Sequence, residues 1–121
     1  MSTSIAQTFE FTKLKRALEQ RDATAQLALY AEDAEVTLVD RINTPRTPRV
    51  LRGREEIRGW IEDICERDMT HHVEMQVVGD GAAAFTEACR YPDGTNVLCA
   101  AVLELRDGRI AREVGVQAWD A

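Results

Sequence analysis

Residues 71–119 read HHVEMQVVGDGAAAFTEACRYPDGTNVLCAAVLELRDGRIAREVGVQAW. Three Asp-Gly pairs, Asp80-Gly81, Asp93-Gly94 and Asp107-Gly108, punctuate this stretch. Asp and Gly tolerate the left-handed backbone that tight hairpins need, so each pair marks a chain reversal. The intervening segments are rich in Val, Phe, Thr and Cys, residues that fit a pleated surface. The spacing predicts four consecutive antiparallel strands at about 71–78, 82–91, 96–105 and 109–119. A hairpin centred on Gly94 sets Cys89 opposite Cys99 and Glu87 opposite Ala101, all on one face.

Upstream of this run the apolar period lengthens from two to between three and four. Over Ile5 to Gln20, Phe11, Leu14 and Leu18 form one stripe between charged neighbours, which predicts a surface helix. Asp22 stands as an N-cap before a second, short helix over Ala23 to Ala31. Glu35 to Asp40 reads as a strand, and Arg41 to Arg52, holding Pro45 and Pro48, as a loop. Ile57, Trp60, Ile61, Ile64 and Cys65 then define a third helix over Arg54 to Arg67. Glu55 and Glu56 fall in its first turn, where the helix dipole favours them. The predicted order is helix, helix, strand, helix, then a four-strand meander: an α+β fold. Three helices on one face of a curved sheet enclose a cone with one hollow mouth.

The length of 121 residues suits one domain over 1–121, large enough to bury a core without disulfides or metals. A net charge of −6 argues against nucleic acid or an anionic membrane as partner. No apolar run is long enough to span a bilayer, and MSTSIAQTFE lacks the basic and apolar regions of a signal peptide, so a cytoplasmic location is expected. Cys65, Cys89 and Cys99 are odd in number and form no C-x-x-C, which makes a structural zinc site improbable and reduced thiols the expectation.

RDATAQLALYAEDAEV, LRGREEIRGWIEDI and LELRDGRIAREVGVQAWD, in this order and spacing, resemble the SnoaL-like branch of the nuclear transport factor 2-like superfamily. That superfamily includes ketosteroid isomerases, limonene-epoxide hydrolases, scytalone dehydratases and polyketide cyclases. The resemblance implies the cone fold, a homodimer, a small apolar or mixed organic ligand and no cofactor. It leaves function open, because the fold hosts enzymes, binding domains and dimerisation domains. The isomerases' oxyanion-binding tyrosine falls at about Leu14, their proton-shuttling aspartate at Leu38 and their protonated aspartate at about Ala101. These side chains can neither take a proton nor hydrogen-bond to an enolate, so steroid isomerisation is rejected.

The resemblance places Phe85, Glu87, Cys89 and Tyr91 inside the cone, with Cys99 and Ala101 across from them. Glu87 is then a carboxylate on an apolar wall, where burial would raise its pKa and fit it for acid/base work; an outward, solvated Glu87 is the bland alternative. Asp40 shares a face with Val36 and Leu38 near the mouth, as a displaced general base or simply a turn residue. Alternation sends one of His71 and His72 inward; Val73, Met75 and Val77 as the core side favour His71. Tyr30, Trp60 and Trp119 are expected as core or pocket aromatics. The resemblance puts Trp119 and Gln117 inside, whereas the apolar alternation Val114, Val116, Ala118 argues for the opposite face. Arg41, Arg46, Arg49, Arg52, Arg54 and Arg58 either guide an anionic ligand to the mouth or decorate a solvated loop. Val78, Ala82, Ala84, Ala88, Leu98, Ala100 and Val102 make an outer sheet face apolar enough to dimerise. Two readings stand at this point: an acid/base isomerase, cyclase or hydrolase working on a pocket ligand, or a non-catalytic ligand-binding or dimerisation module.

Overall fold

Antiparallel pairing of the last four strands builds most of the molecule. A computed structural model describes residues 8–121. It contains α1 (Phe11–Glu19), α2 (Ala23–Leu27), β1 (Tyr30–Val39), β2 (Arg49–Arg52), α3 (Gly53–Glu66), β3 (Thr70–Val78), β4 (Ala82–Arg90), β5 (Asn96–Arg106) and β6 (Arg109–Trp119). One six-stranded sheet runs in the order β2-β1-β6-β5-β4-β3. Every neighbouring pair is antiparallel except β1 and β6, which run parallel. The α+β cone expected from the sequence is the observed fold.

The helices bury the stripes their periodicity dictates. Phe11, Leu14 and Ala17 face inward from α1, which packs on β3. Ile57, Trp60 and Ile61 do so from α3, which lies against β1. The Glu56 carboxylate accepts the Arg52 N–H at 2.8 Å, satisfying a donor at the start of α3. The Asp22 carboxylate accepts the Ala25 N–H at 3.0 Å, the N-cap role its position predicts. Residues 5–7 of the expected first helix lie outside the described residues, and α1 itself begins only at Phe11.

Four sequence expectations are corrected. The second helix stops at Leu27, and Tyr30 and Ala31 begin β1; the strand therefore starts five residues before Glu35, with a register irregularity between Tyr30 and Glu35. The loop expected over Arg41 to Arg52 ends in β2, because Val50 and Leu51 pair with Thr37 and Val36 beyond the last proline. The β4–β5 hairpin is shifted by two residues: Cys89 faces Val97, Glu87 faces Cys99 and Phe85 faces Ala101. Its reversal is a five-residue unit closed by Tyr91 N–H to Thr95 O at 2.9 Å, with Gly94 at φ +91° supplying the left-handed position. A shift of two preserves the face, so the inward set survives.

The fourth correction lies in β3. Its register slips between Val73 and Met75, a bulge that turns the far half of the strand over. Met75 and Val77, read as core, are 69% and 70% exposed, and Val78, read as outer, pairs with buried Ala83 but is itself 47% exposed. The Glu19 carboxylate anchors the near half by accepting the Val73 N–H at 3.0 Å. His71 and Val73 therefore point inward and His72 outward, where it meets Glu19 at 3.3 Å.

Candidate functional site

The core is divided between a solid end and a hollow end. Phe9, Phe11, Ala34, Ile57, Ala83, Leu103 and Ile110 fill the closed end of the cone. Toward the other end the helices and sheet diverge around a cavity of about 410 Å³, within the usual range for a small-molecule site. Its wall is largely apolar: Leu14, Leu38, Trp60, Ile61, Phe85 and Ala101. Leu14, Leu38 and Ala101, which the resemblance matches approximately to the steroid isomerases' catalytic groups, are on the cavity wall and carry no group that can take a proton or donate a hydrogen bond. Gly115 also belongs to this wall, and the reason is steric. A Cβ there would stand 3.2 Å from Leu38 Cδ2, so glycine lets β1 and β6 bring their inner faces together.

Polar groups enter this wall at two places. Tyr30, at the start of β1, donates its hydroxyl to Glu113 Oε1 on β6. Both side chains are buried, with Gln26 beside the phenol. Burial pushes the Glu113 carboxyl up to about 7, the Tyr30 hydrogen bond pulls it back, and the negative charge of Glu87 adds to the rise. Burial and the Glu113 charge likewise hold the Tyr30 hydroxyl well above the usual tyrosine range. Glu113 is therefore a carboxyl that shares its proton near neutral pH, the condition for acid/base work in either direction.

The second polar cluster sits on the strand-to-strand wall. His71 on β3 lies directly across from Cys89 on β4, and Glu87 is two residues along on the same face. His71 Nδ1 is 2.7 Å from Glu87 Oε2 and 3.3 Å from Cys89 Sγ. The neighbouring Cys99 thiol, then burial and the Glu87 charge, push the Cys89 thiol far up. All three cysteines are free.

Asp40 reaches the mouth, but its oxygens are occupied. Oδ1 accepts the Ile42 N–H at 2.8 Å and the Asn43 N–H at 2.7 Å, and both oxygens meet the Asn43 amide at 3.2 Å. Burial alone would raise its pKa, yet these hydrogen bonds, with the Arg49 charge, outweigh it and hold the carboxyl low. Asp40 is the anchor of a turn. Around the same rim, Tyr91 stacks on Trp119 at 5.7 Å, Arg41 lies 4.2 Å over the Trp119 ring, and Arg67 Nη1 donates to the Tyr91 hydroxyl at 3.0 Å. Trp119 Nε1 donates to Gln117 Oε1 at 3.1 Å.

Of the residues singled out from the sequence, Tyr30, Leu38, Asp40, Trp60, His71, Phe85, Glu87, Cys89, Tyr91, Cys99, Ala101, Gln117 and Trp119 line the cavity. His72 does not. Of the six clustered arginines, only Arg41 and Arg49 line it. Arg52 and Arg58 pair with Glu35 and Glu55, and Arg54 donates to the Leu27 carbonyl. Sequence reasoning missed Glu113. The signal was available: once the resemblance puts Gln117 and Trp119 inside, the two-residue period of β6 puts Gly115 and Glu113 there too.

The SnoaL-like domain profile matches residues 11–113. No curated protein matches the chain. Solved structures share its fold. A nuclear transport factor 2-like protein of unknown function from Mesorhizobium loti superposes with a TM-score of 0.77 at 18% identity, over 89% of this chain and 87% of that one. A proposed ketosteroid isomerase from Kribbella flavida gives 0.76 at 22% identity, over 92% and 76%. A proposed polyketide cyclase from Sinorhizobium meliloti gives 0.66 at 19% identity, over 87% and 91%. With the profile running from the first helix into the last strand, the chain belongs to the SnoaL-like domain family.

Proposed function

We propose that the cavity binds a small organic molecule, apolar along most of its length and carrying a carbonyl or hydroxyl, and that Glu113 moves a proton on it. The observation that carries this reading is a buried carboxyl on the cavity wall held by a buried tyrosine, a setting in which burial pushes the Glu113 pKa up to about 7. Tyr30 holds one Glu113 oxygen and fixes the carboxyl's orientation. His71 and Glu87, expected from the sequence to shuttle the proton, are bonded to each other and form a polar wall that orients the ligand. Arg41, Arg67 and the Tyr91–Trp119 stack at the mouth favour ligands with a flat or anionic portion. An isomerase or cyclase acting beside a carbonyl fits these groups.

Hydrogen–deuterium exchange tests this without a known substrate. Cyclic and aromatic ketones that raise the melting temperature are incubated with the protein in D₂O, and deuterium entering beside the carbonyl is followed by NMR. The chain should accelerate exchange, and Glu113→Gln should keep binding while losing about 10²-fold or more in rate. Equal exchange by both proteins would remove Glu113 from the chemistry. Tight binding with no exchange by either favours the second reading, a ligand-binding module, which the inert Leu14, Leu38 and Ala101 support.

The homodimer is part of the same proposal. Met75, Val77, Leu98, Val102 and Val116 are exposed on β3, β5 and β6. A second copy covering this face would remove these five apolar side chains from water. Sedimentation should give about twice 13.6 kDa at micromolar concentration, and a 13.6 kDa species would contradict it.

A further inference from the structure

We propose that His71, Glu87 and Cys89 form a binding site for a borderline-soft divalent cation of the Zn²⁺ type on the cavity wall. The acid/base reading rests on Glu113 and Tyr30, and this proposal needs neither.

Among the described residues, this is the group of three His, Cys, Asp or Glu side chains whose ligand atoms all lie within 4.8 Å of one another. Its geometry is close to a tetrahedral site. With metal–nitrogen and metal–oxygen bonds of about 2.0–2.2 Å and metal–sulfur of about 2.3 Å, ligand atoms sit about 3.3–3.7 Å apart. The observed Nδ1–Sγ separation of 3.3 Å is at the lower edge of this range, and the Nδ1–Oε2 separation of 2.7 Å must open by about 0.6–0.7 Å. One nitrogen faces both partners, and a single cation bound between them would satisfy all three.

The scaffold favours such a site. Its three residues come from two directly paired strands, with His71 opposite Cys89 and Glu87 on the same face, so backbone pairing pre-positions them. The His71 and Glu87 side chains are 5% and 10% exposed, yet all three residues line the cavity. A bound ion would thus keep an open position toward a ligand oxygen, as three-ligand zinc sites do. Cys99, across from Glu87, sets a second thiol beside Cys89. A mixed sulfur, nitrogen and oxygen donor set selects Zn²⁺ or Co²⁺ over Mg²⁺ or Ca²⁺, which prefer oxygen alone. The sequence conceals the arrangement, because the ligands meet across a hairpin and in none of the familiar short-spaced patterns.

The chelator-treated, reduced 121-residue chain should be titrated anaerobically with Co²⁺, and Zn²⁺ then added. The expected result is one equivalent bound, with a thiolate-to-cobalt charge-transfer band that Zn²⁺ abolishes. Cys89→Ser, nearly isosteric, should remove the band, and His71→Ala should weaken binding by about tenfold or more. Cys65→Ser, altering the cavity-wall thiol of α3 that lies outside the three-ligand group, should leave the band intact. Independently of any variant, Zn²⁺ should raise the melting temperature of the unmodified chain and Mg²⁺ should not. No charge-transfer band, a band that persists in Cys89→Ser, or a band lost in Cys65→Ser would each overturn the site.

Discussion

Glu113→Gln is expected to gain stability over the unmodified chain as pH rises from 5 to 8, by about 2–3 kcal/mol. The cause is the raised carboxyl. In the folded chain Glu113 releases its proton at about 7, whereas the usual value is 4.5. Between these values the folded state holds a proton that the unfolded state has lost, so stability falls as pH rises. Below about 4.5 both states are protonated and above about 7 both are ionised, so the contribution is flat on either side. Glutamine cannot ionise, and its amide can still accept the Tyr30 hydroxyl. Subtracting the two proteins' urea-unfolding free energies at each pH isolates this one group from the other titrations. A difference that does not change with pH would mean that Glu113 titrates normally. Gaining stability by removing a charge is also the trade expected when an ionisable group is retained in a cavity for chemistry.

The second large effect separates the solid end of the cone from the hollow end. Leu103 is fully buried on β5 among side chains that pack on every side of it. Leu103→Ala should cost about 3–4 kcal/mol, the transfer loss plus an unfilled void. Leu38 is almost as buried, at 5% exposed, but it lines the cavity and already lacks neighbours on one side. Leu38→Ala should therefore cost about 2 kcal/mol or less, since fewer contacts are lost. Denaturation midpoints of the two variants under one set of conditions check the ordering. Equal losses would mean that the cavity collapses onto Leu38.

The fold was legible because its signals are local. Asp-Gly pairs mark the three hairpins, and the Ile57–Trp60–Ile61 spacing marks α3. What escaped depended on long-range pairing. β2 is four residues long and is held by β1, so Val50 and Leu51 carry no period of their own. Tyr30 and Ala31 fit a helix face as well as a strand, and pairing with β6 decided between them. The bulge after Val73 reversed Met75 and Val77, and no residue type announces it; Glu19, more than fifty residues away in sequence, supports it.

The site was legible through strand alternation wherever the register held to an even shift. Glu87, Cys89, Cys99 and Ala101 keep their face although the β4–β5 hairpin is displaced by two residues. Alternation cannot show what each inward carboxyl is bonded to. Glu87 is closed against His71 and Asp40 is committed to its turn, and only the three-dimensional contacts separate them from Glu113. Glu113 itself was hidden by its neighbours Val114 and Val116, which make β6 look apolar on the other face.

The most direct measurement of the central claim is a carbon-13 NMR titration of the Glu113 carboxyl, assigned by its disappearance in Glu113→Gln. A midpoint near 7 is expected, because burial outweighs the Tyr30 hydrogen bond that pulls it down. A midpoint near the usual 4.5 would contradict the account: Glu113 would then be an ordinary ionised carboxylate at neutral pH, with no proton to give a ligand in the cavity.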